Sequence, residues 1–278
     1  MTLLSDHHRL NPATAQPLGR ISLVGAGPGA ADLLTLRALR RLAEADVVCY
    51  DRLVDPEVLT LARPGAELRF VGKEVGAHSW PQDRINAYIT AAALRGLRVV
   101  RLKSGDPSVF GRAAEEIAAA RDHGIPVEIV PGITAASAAA ASLCRPLTER
   151  GQSRQLVIAT ATARSEAESH LPETLLGASS YALYMAVHRI EAVAAELAAA
   201  GLPPDAAVTV VSKASTADER VLDCTLATLA HSVRHHHIAN PAIIFFTTPE
   251  ACTEAVVGHA ADMQTTAGYK SLPTVAMC

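Results

Sequence analysis

Residues able to hold a ligand recur after successive apolar runs. The first run, Ile21 to Val24, leads into Gly25, Gly27 and Gly29 with Pro28 among them; the second leads into Asp51 and Arg52, and the third into Lys73. The fourth is followed by Ser104-Gly105-Asp106-Pro107 and then Arg112 and Glu115, and another leads into Pro131-Gly132. Glycines let a backbone turn sharply and approach a ligand. Asp51 falls where a dinucleotide-binding fold would place its ribose carboxylate. The loop is G-x-G-x-G, however, rather than G-x-G-x-x-G, and Pro28 removes an amide donor that pyrophosphate would use. Such a loop suits packing on an organic ligand. A strand-to-helix turn that binds nothing is the ordinary structural reading of the same glycines.

The elements that must position these groups alternate. ISLV, DVVCY, ELRFVG, LRVVRLK and VEIVPG read as strands; LLTLRALRRLAEA, PQDRINAYITAAALRG, FGRAAEEIAAARDHG and ITAASAAAASL read as helices. This alternation predicts a mostly parallel sheet covered by helices, and the runs are too continuous for a sheet with one wet face. In an open α/β sheet, ligands sit at the carboxyl ends of strands, which is where the polar groups fall.

After Thr148-Glu149-Arg150-Gly151 the pattern restarts: QLVIATA, SYALYMAV, AAVTVVSKA and PAIIFFTT are strands, and HRIEAVAAELAAAG is a helix ending at Gly201. ERVLDCTLATLAHSV reads as a short strand turning into a helix. The expected division is an N-terminal tail over 1–18, α/β domains over 19–148 and 149–252, and a C-terminal tail over 253–278.

Hydrophobic residues make up 49% of the 278 positions, ample for a core, and the net charge of −3 gives no reason to expect nucleic acid or a membrane surface. Cys49, Cys144, Cys224, Cys252 and Cys278 are scattered without metal spacing, which fits free thiols in a reducing compartment. The first residues hold no long apolar segment and no run of about 18 apolar residues occurs, so the expectation is a cytoplasmic protein. His235-His236-His237 reads as a solvated loop, since three consecutive imidazoles cannot all face one ion; no metal is expected.

In order along the chain, GAGPG, YDRLV, VGK, HS-x-PQ, RLK-x-GDP-x-VFGR, VPGITAA, PLT-x-RG and YM resemble the tetrapyrrole methylases over about residues 20–248. YDRLV, VGK and HS-x-PQ point within them to the uroporphyrinogen-III C-methyltransferases. The resemblance implies two α/β domains with mostly parallel or mixed sheets and S-adenosylmethionine in the cleft between them. It also implies a homodimer acting on a small-molecule tetrapyrrole in the sirohaem, cobalamin or haem d1 branch, giving precorrin-2 by methylation at carbons 2 and 7. Carried over by position, the cofactor contacts are Pro28, Ser104, Gly105, Asp106, Val109, Thr134, Ala135, Met185 and Ala214. The family's acid/base carboxylate falls on Asp51 and its catalytic lysine on Lys73, and Arg112 and Glu115 match a pair that binds or deprotonates the substrate. A nicotinamide oxidoreductase, or a methylase with another acceptor, are the alternatives.

Methyl transfer from a sulfonium needs in-line positioning and one poised base, because the acceptor carbon attacks once a proton leaves the macrocycle. Asp51 suits that base. Arg112, effectively always protonated, suits carboxylate binding, as do Arg52, Lys73 and Arg150. His78 stands near the expected substrate or at a helix start that Ser79 caps. Several family positions differ. Ala30 replaces an Asp, Ser104 a Gly, Glu149 and Thr162 each a His, and Ala186 a Gly. Glu149 should repel an octa-acid unless it points away.

Overall fold

Strands β1 (Arg20–Gly25) and β4 (Arg98–Lys103) are buried at every position but the first, as strands covered on both faces must be. The computed structural model describes residues 17–72, 80–162, 171, 175 and 177–248. With β2 (Val47–Tyr50), β3 (Glu67–Phe70) and β5 (Val127–Val130) these strands form one sheet in the order β3-β2-β4-β1-β5, every neighbour parallel. All their carboxyl ends therefore lie along one edge, which brings Gly25, Asp51, Ser104 and Pro131 together although they are far apart in sequence.

Helices α1 (Leu36–Glu44) and α2 (Pro56–Thr60) cover one face with Leu42 and Val58; α3 (Gln82–Leu94) and α4 (Ala113–Asp122) cover the other with Ile85, Ile89 and Ala120. Local signals start the first two: Thr35 accepts from Ala38 N at 3.2 Å, and Asp55 accepts from Glu57 N at 2.8 Å ahead of Pro56. The start of α3 departs from expectation, because Pro81 rather than Ser79 is its N-cap; Ser79 and His78 lie outside the described residues.

At the amino-terminal edge Asp46 takes three hydrogen bonds from Arg98, to Oδ2 from N at 2.8 Å and Nε at 2.9 Å, and to Oδ1 from Nη2 at 2.9 Å. These bonds hold its carboxyl far below the usual carboxylate range.

The second sheet is mixed. β6 (Gln155–Thr160) runs parallel to β7 (Ser179–Tyr184), while β10 (Ala242–Thr248), β8 (Ala207–Ser212) and β9 (Arg220–Thr225) pair antiparallel in the order β6-β7-β10-β8-β9. Its larger core lies under α6 (Ile190–Ala199) and α7 (Leu229–His235), where Tyr181 and Phe246 stack 4.7 Å apart. On the other face, α5 (Ala135–Ser142) packs Ala136, Ala139 and Ala140 against Ala182, Val211 and Phe245. The helix that follows the last strand of the first sheet thus rests on the second, tying the two together.

The histidine tract straddles a helix end: His235 closes α7, His236 caps it and His237 lies in the turn beyond, and all three are exposed as expected of a solvated tract. Among the described residues no three His, Cys, Asp or Glu side chains gather as a metal site, and Cys49, Cys144 and Cys224 are free thiols. No described helix is long and apolar enough to cross a membrane. Residues 1–16 and 249–278, with most of the expected N-terminal tail and all of the expected C-terminal one, lie outside the described residues.

Candidate active site

The loops after β1, β4 and β5 meet with almost no space between backbones. A Cβ on Gly25 would stand 2.6 Å from the amide nitrogen of Gly132, so glycine is required at this junction for the chain to pass. Gly27 and Gly105 exchange hydrogen bonds, 2.6 Å from Gly105 N and 3.3 Å from Gly27 N. Asp106 then locks the arrangement, accepting from Ser108 N at 2.7 Å with Oδ1 and from Gly132 N at 3.0 Å with Oδ2. Gly29 faces the second sheet instead: a Cβ there would meet Thr216 and Ser215, and Ala30 N donates to Ser215 Oγ at 3.3 Å. The glycines bring backbones together, and Pro28 is the member of the loop that lines the cavity beyond.

That cavity has a volume of about 600 Å³ and mostly apolar walls, and it lies between the two sheets. Pro28, Ser104, Gly105, Asp106, Val109, Thr134 and Ala135 form one side; Met185 and Ala214 contribute from the other. All nine expected cofactor contacts are therefore in one place. Tyr184 spans the cleft, its hydroxyl 2.6 Å from Thr134 Oγ1 and accepting from Ala136 N at 2.9 Å, with its ring 5.2 Å from that of Phe110. Burial raises its phenol above the ordinary value.

A second hollow of about 360 Å³ adjoins the first, sharing Arg52, Leu53, Ser104, Val109 and Phe110 with it. Asp51 lies here, its carboxylate accepting from Leu53 N at 3.1 Å and from Arg101 Nη2 at 3.4 Å. Four cations, Arg52, Arg101, Lys103 and Arg112, line the groove with it. Arg112 is the N-cap of α4 at φ 55° and holds Glu115 by two bonds of 2.8 Å, which raise its guanidinium further. That pairing agrees with anion binding and not with proton removal.

Lys73 lies outside the described residues. Arg150 is exposed on the turn before β6 and lines neither hollow. Glu149 points away from the cleft; its Oε1 accepts from Gln152 Nε2 at 2.9 Å and it lines a separate depression with Arg145 and Arg154. Thr162 does line the cavity, donating from Oγ1 to Met185 O at 3.1 Å and lying 3.3 Å from His188 Nε2. Sequence reasoning missed Tyr184, His188 and the buried trio Arg101, Lys103 and Glu116. The trio had a visible signal, since RVVRLK sets two cations two residues apart on one face of a strand buried on both faces.

The dinucleotide reading fails on strand order. β4 lies between β1 and β2, so Asp51 is two strand spacings, about 10 Å, from the glycine loop. It lines the groove and not the glycine-loop cavity, so it cannot serve a ribose held there. A family model for the Tetrapyrrole (Corrin/Porphyrin) Methylases matches residues 20–230. The chain belongs to the tetrapyrrole methylases.

Among curated relatives of this methylase, the siroheme synthase of Gluconacetobacter diazotrophicus is 44% identical over 234 residues, covering 84% of this chain and 50% of that one. The chain spans about half the length of the curated relatives it matches. Among solved structures, uroporphyrin-III C-methyl transferase from Thermus thermophilus complexed with S-adenyl homocysteine has a TM-score of 0.68 at 38% identity, covering 82% of this chain and 97% of that one. A cobalt precorrin-4 methyltransferase has a TM-score of 0.72 at 30% identity, covering 82% and 94%. Both solved structures share the two-domain α/β architecture.

Proposed function

We propose that this tetrapyrrole methylase is an S-adenosylmethionine-dependent C-methyltransferase that converts uroporphyrinogen III to precorrin-2, methylating carbons 2 and 7. One observation carries the reading: a mostly apolar cavity built from the nine expected donor contacts opens, across five shared residues, into a groove where exposed Arg52 and Arg112 stand beside the Asp51 carboxylate. A donor chamber beside a cationic acceptor groove is what methyl transfer to a polycarboxylate requires.

The cavity fits the donor. Its volume is within the ordinary range for small-molecule sites, about 300–1,000 Å³. Ser104, Asp106 and Thr134 place polar atoms on otherwise apolar walls, and Asp106 keeps acceptor capacity beyond the two amides it already holds. S-adenosylmethionine supplies an electrophilic methyl group on a sulfonium sulfur. In each transfer a carbon–carbon bond to the acceptor forms as the carbon–sulfur bond breaks, its electron pair passing to sulfur, and the acceptor gives up one proton.

The residues of the chain do the rest. Asp51 accepts that proton in the groove. Arg52 and Arg112 hold substrate carboxylates, Arg112 exchanging Glu115 for one of them. Phe110 lines both hollows, with its ring 5.2 Å from that of Tyr184. The roles of Lys73 and Arg150 rest on the family resemblance, as does assembly into a homodimer.

The second reading keeps the donor and changes the acceptor. Thr162 favours it, because the residue that replaces the family's His at this position lines the cavity. Titration calorimetry with S-adenosylhomocysteine and with NAD tests the donor chamber: binding of the first and not of the second is expected. Formation of S-adenosylhomocysteine that depends on added uroporphyrinogen III tests the acceptor, and formation only with a different tetrapyrrole would favour the second reading.

A further inference from the structure

The floor of the acceptor groove holds a group of charges to which the reaction as described gives no role. Arg101 and Lys103 point to the same face of β4 and are each 5% exposed; Glu116, reaching down from the first turns of α4, is 0% exposed. Lys103 Nζ donates to Glu116 Oε2 at 2.8 Å and Arg101 Nε to Glu116 Oε1 at 3.1 Å. Gln82 Nε2, from α3, adds a bond to Glu116 Oε1 at 3.3 Å. Burying ions is costly, by several kcal/mol each, and apolar residues of similar volume would often serve stability as well. A reason other than stability is needed for three of them here.

The geometry of Arg101 supplies that reason. Its guanidinium is held at each nitrogen: Nε by Glu116, Nη1 by Leu102 O at 2.7 Å, and Nη2 by Asp51 Oδ2 at 3.4 Å. A planar fork fixed at two nitrogens cannot turn, so the third points in one direction. That direction is the Asp51 carboxylate, whose other oxygen is held by Leu53 N. The four groups carry two positive and two negative charges, so the cluster is balanced only with Asp51 included.

We propose that Arg101 is a positioning residue for the methyl transfer: anchored by Glu116 below the groove, it fixes the Asp51 carboxylate beside the junction with the donor cavity. This rests on Asp51 being the proton acceptor. Arg101 acts through Asp51, with Glu116 and Lys103 securing it from beneath.

A double-mutant cycle on the full chain tests this, using Asp51→Asn, Arg101→Lys and the pair, with kcat, acceptor KM and S-adenosylhomocysteine affinity measured for each. Arg101→Lys keeps the charge and loses the fork. It is expected to lower kcat by up to about 100-fold, the order of a 1 Å misplacement. KM and S-adenosylhomocysteine affinity should stay as in the parent, and the double variant should be no slower than Asp51→Asn. Losses that multiply would show that Arg101 acts independently and overturn the proposal, as would a loss of donor-product affinity equal to the loss of rate. Asp51→Asn turning over at the parental rate would remove Asp51 as the acceptor and the proposal with it. Should Arg101→Lys fail to fold, Glu116→Gln, nearly the same in shape, gives the same cycle. Its loss must likewise vanish on the Asp51→Asn background.

Discussion

At the scale of single residues the site divides by how its members could be read. Asp51, Ser104, Asp106 and Arg112 stood out because they follow apolar runs, and the structure collects them around two adjoining hollows. Tyr184 and His188 gave no such sign: a tyrosine ending a strand and a histidine in a short 3-10 turn of helix are ordinary until the opposite domain is in place. The glycine loop taught a different lesson, since Gly25 and Gly29 serve close approach of chain to chain. Two outcomes belong at this scale. Asp51→Asn should lower kcat by at least about 100-fold, the low end for losing a general base, with unchanged S-adenosylhomocysteine affinity in calorimetry. Arg112→Ala should raise acceptor KM by roughly tenfold or more, matching about 1.5–3 kcal/mol for a charged hydrogen bond, with little change in kcat.

At the scale of elements, periodicity revealed which segments are strands and helices but not how the strands order themselves. The insertion of β4 between β1 and β2 follows from pairings distant in sequence, and it separates Asp51 from the glycine loop. The antiparallel half of the second sheet was equally hidden, because a buried apolar run reads the same in either direction. The edge of the first sheet away from the site offers a clean stability test. Asp46 has its carboxyl lowered by Arg98, so its contribution is full above the unfolded carboxylate value near 3.9 and falls away as pH drops below it. Asp46→Asn should therefore melt lower than the parent at pH 7, by about 1–3 kcal/mol. The difference should shrink on acidification below about pH 4. Gly25→Ala should cost about 1–3 kcal/mol at any pH, because its methyl group meets backbone and not a side chain that can move. Thermal melts across pH check both.

At the scale of the whole molecule, function depends on two sheets meeting. Neither domain alone carries the cavity: Pro28, Ser104 and Thr134 come from one, Met185 and Ala214 from the other, and α5 and the Tyr184 hydroxyl join them. A ligand bound across that cleft must stabilise both domains together. S-adenosylhomocysteine at about 100 times its Kd should add about 2.7 kcal/mol and raise the melting temperature in a single transition. The most direct test of the account is anaerobic incubation with S-adenosylmethionine and uroporphyrinogen III, followed by product mass. The account predicts a gain of two methyl groups. No gain, with S-adenosylhomocysteine still bound tightly, would contradict it and leave a methylase scaffold that serves another acceptor.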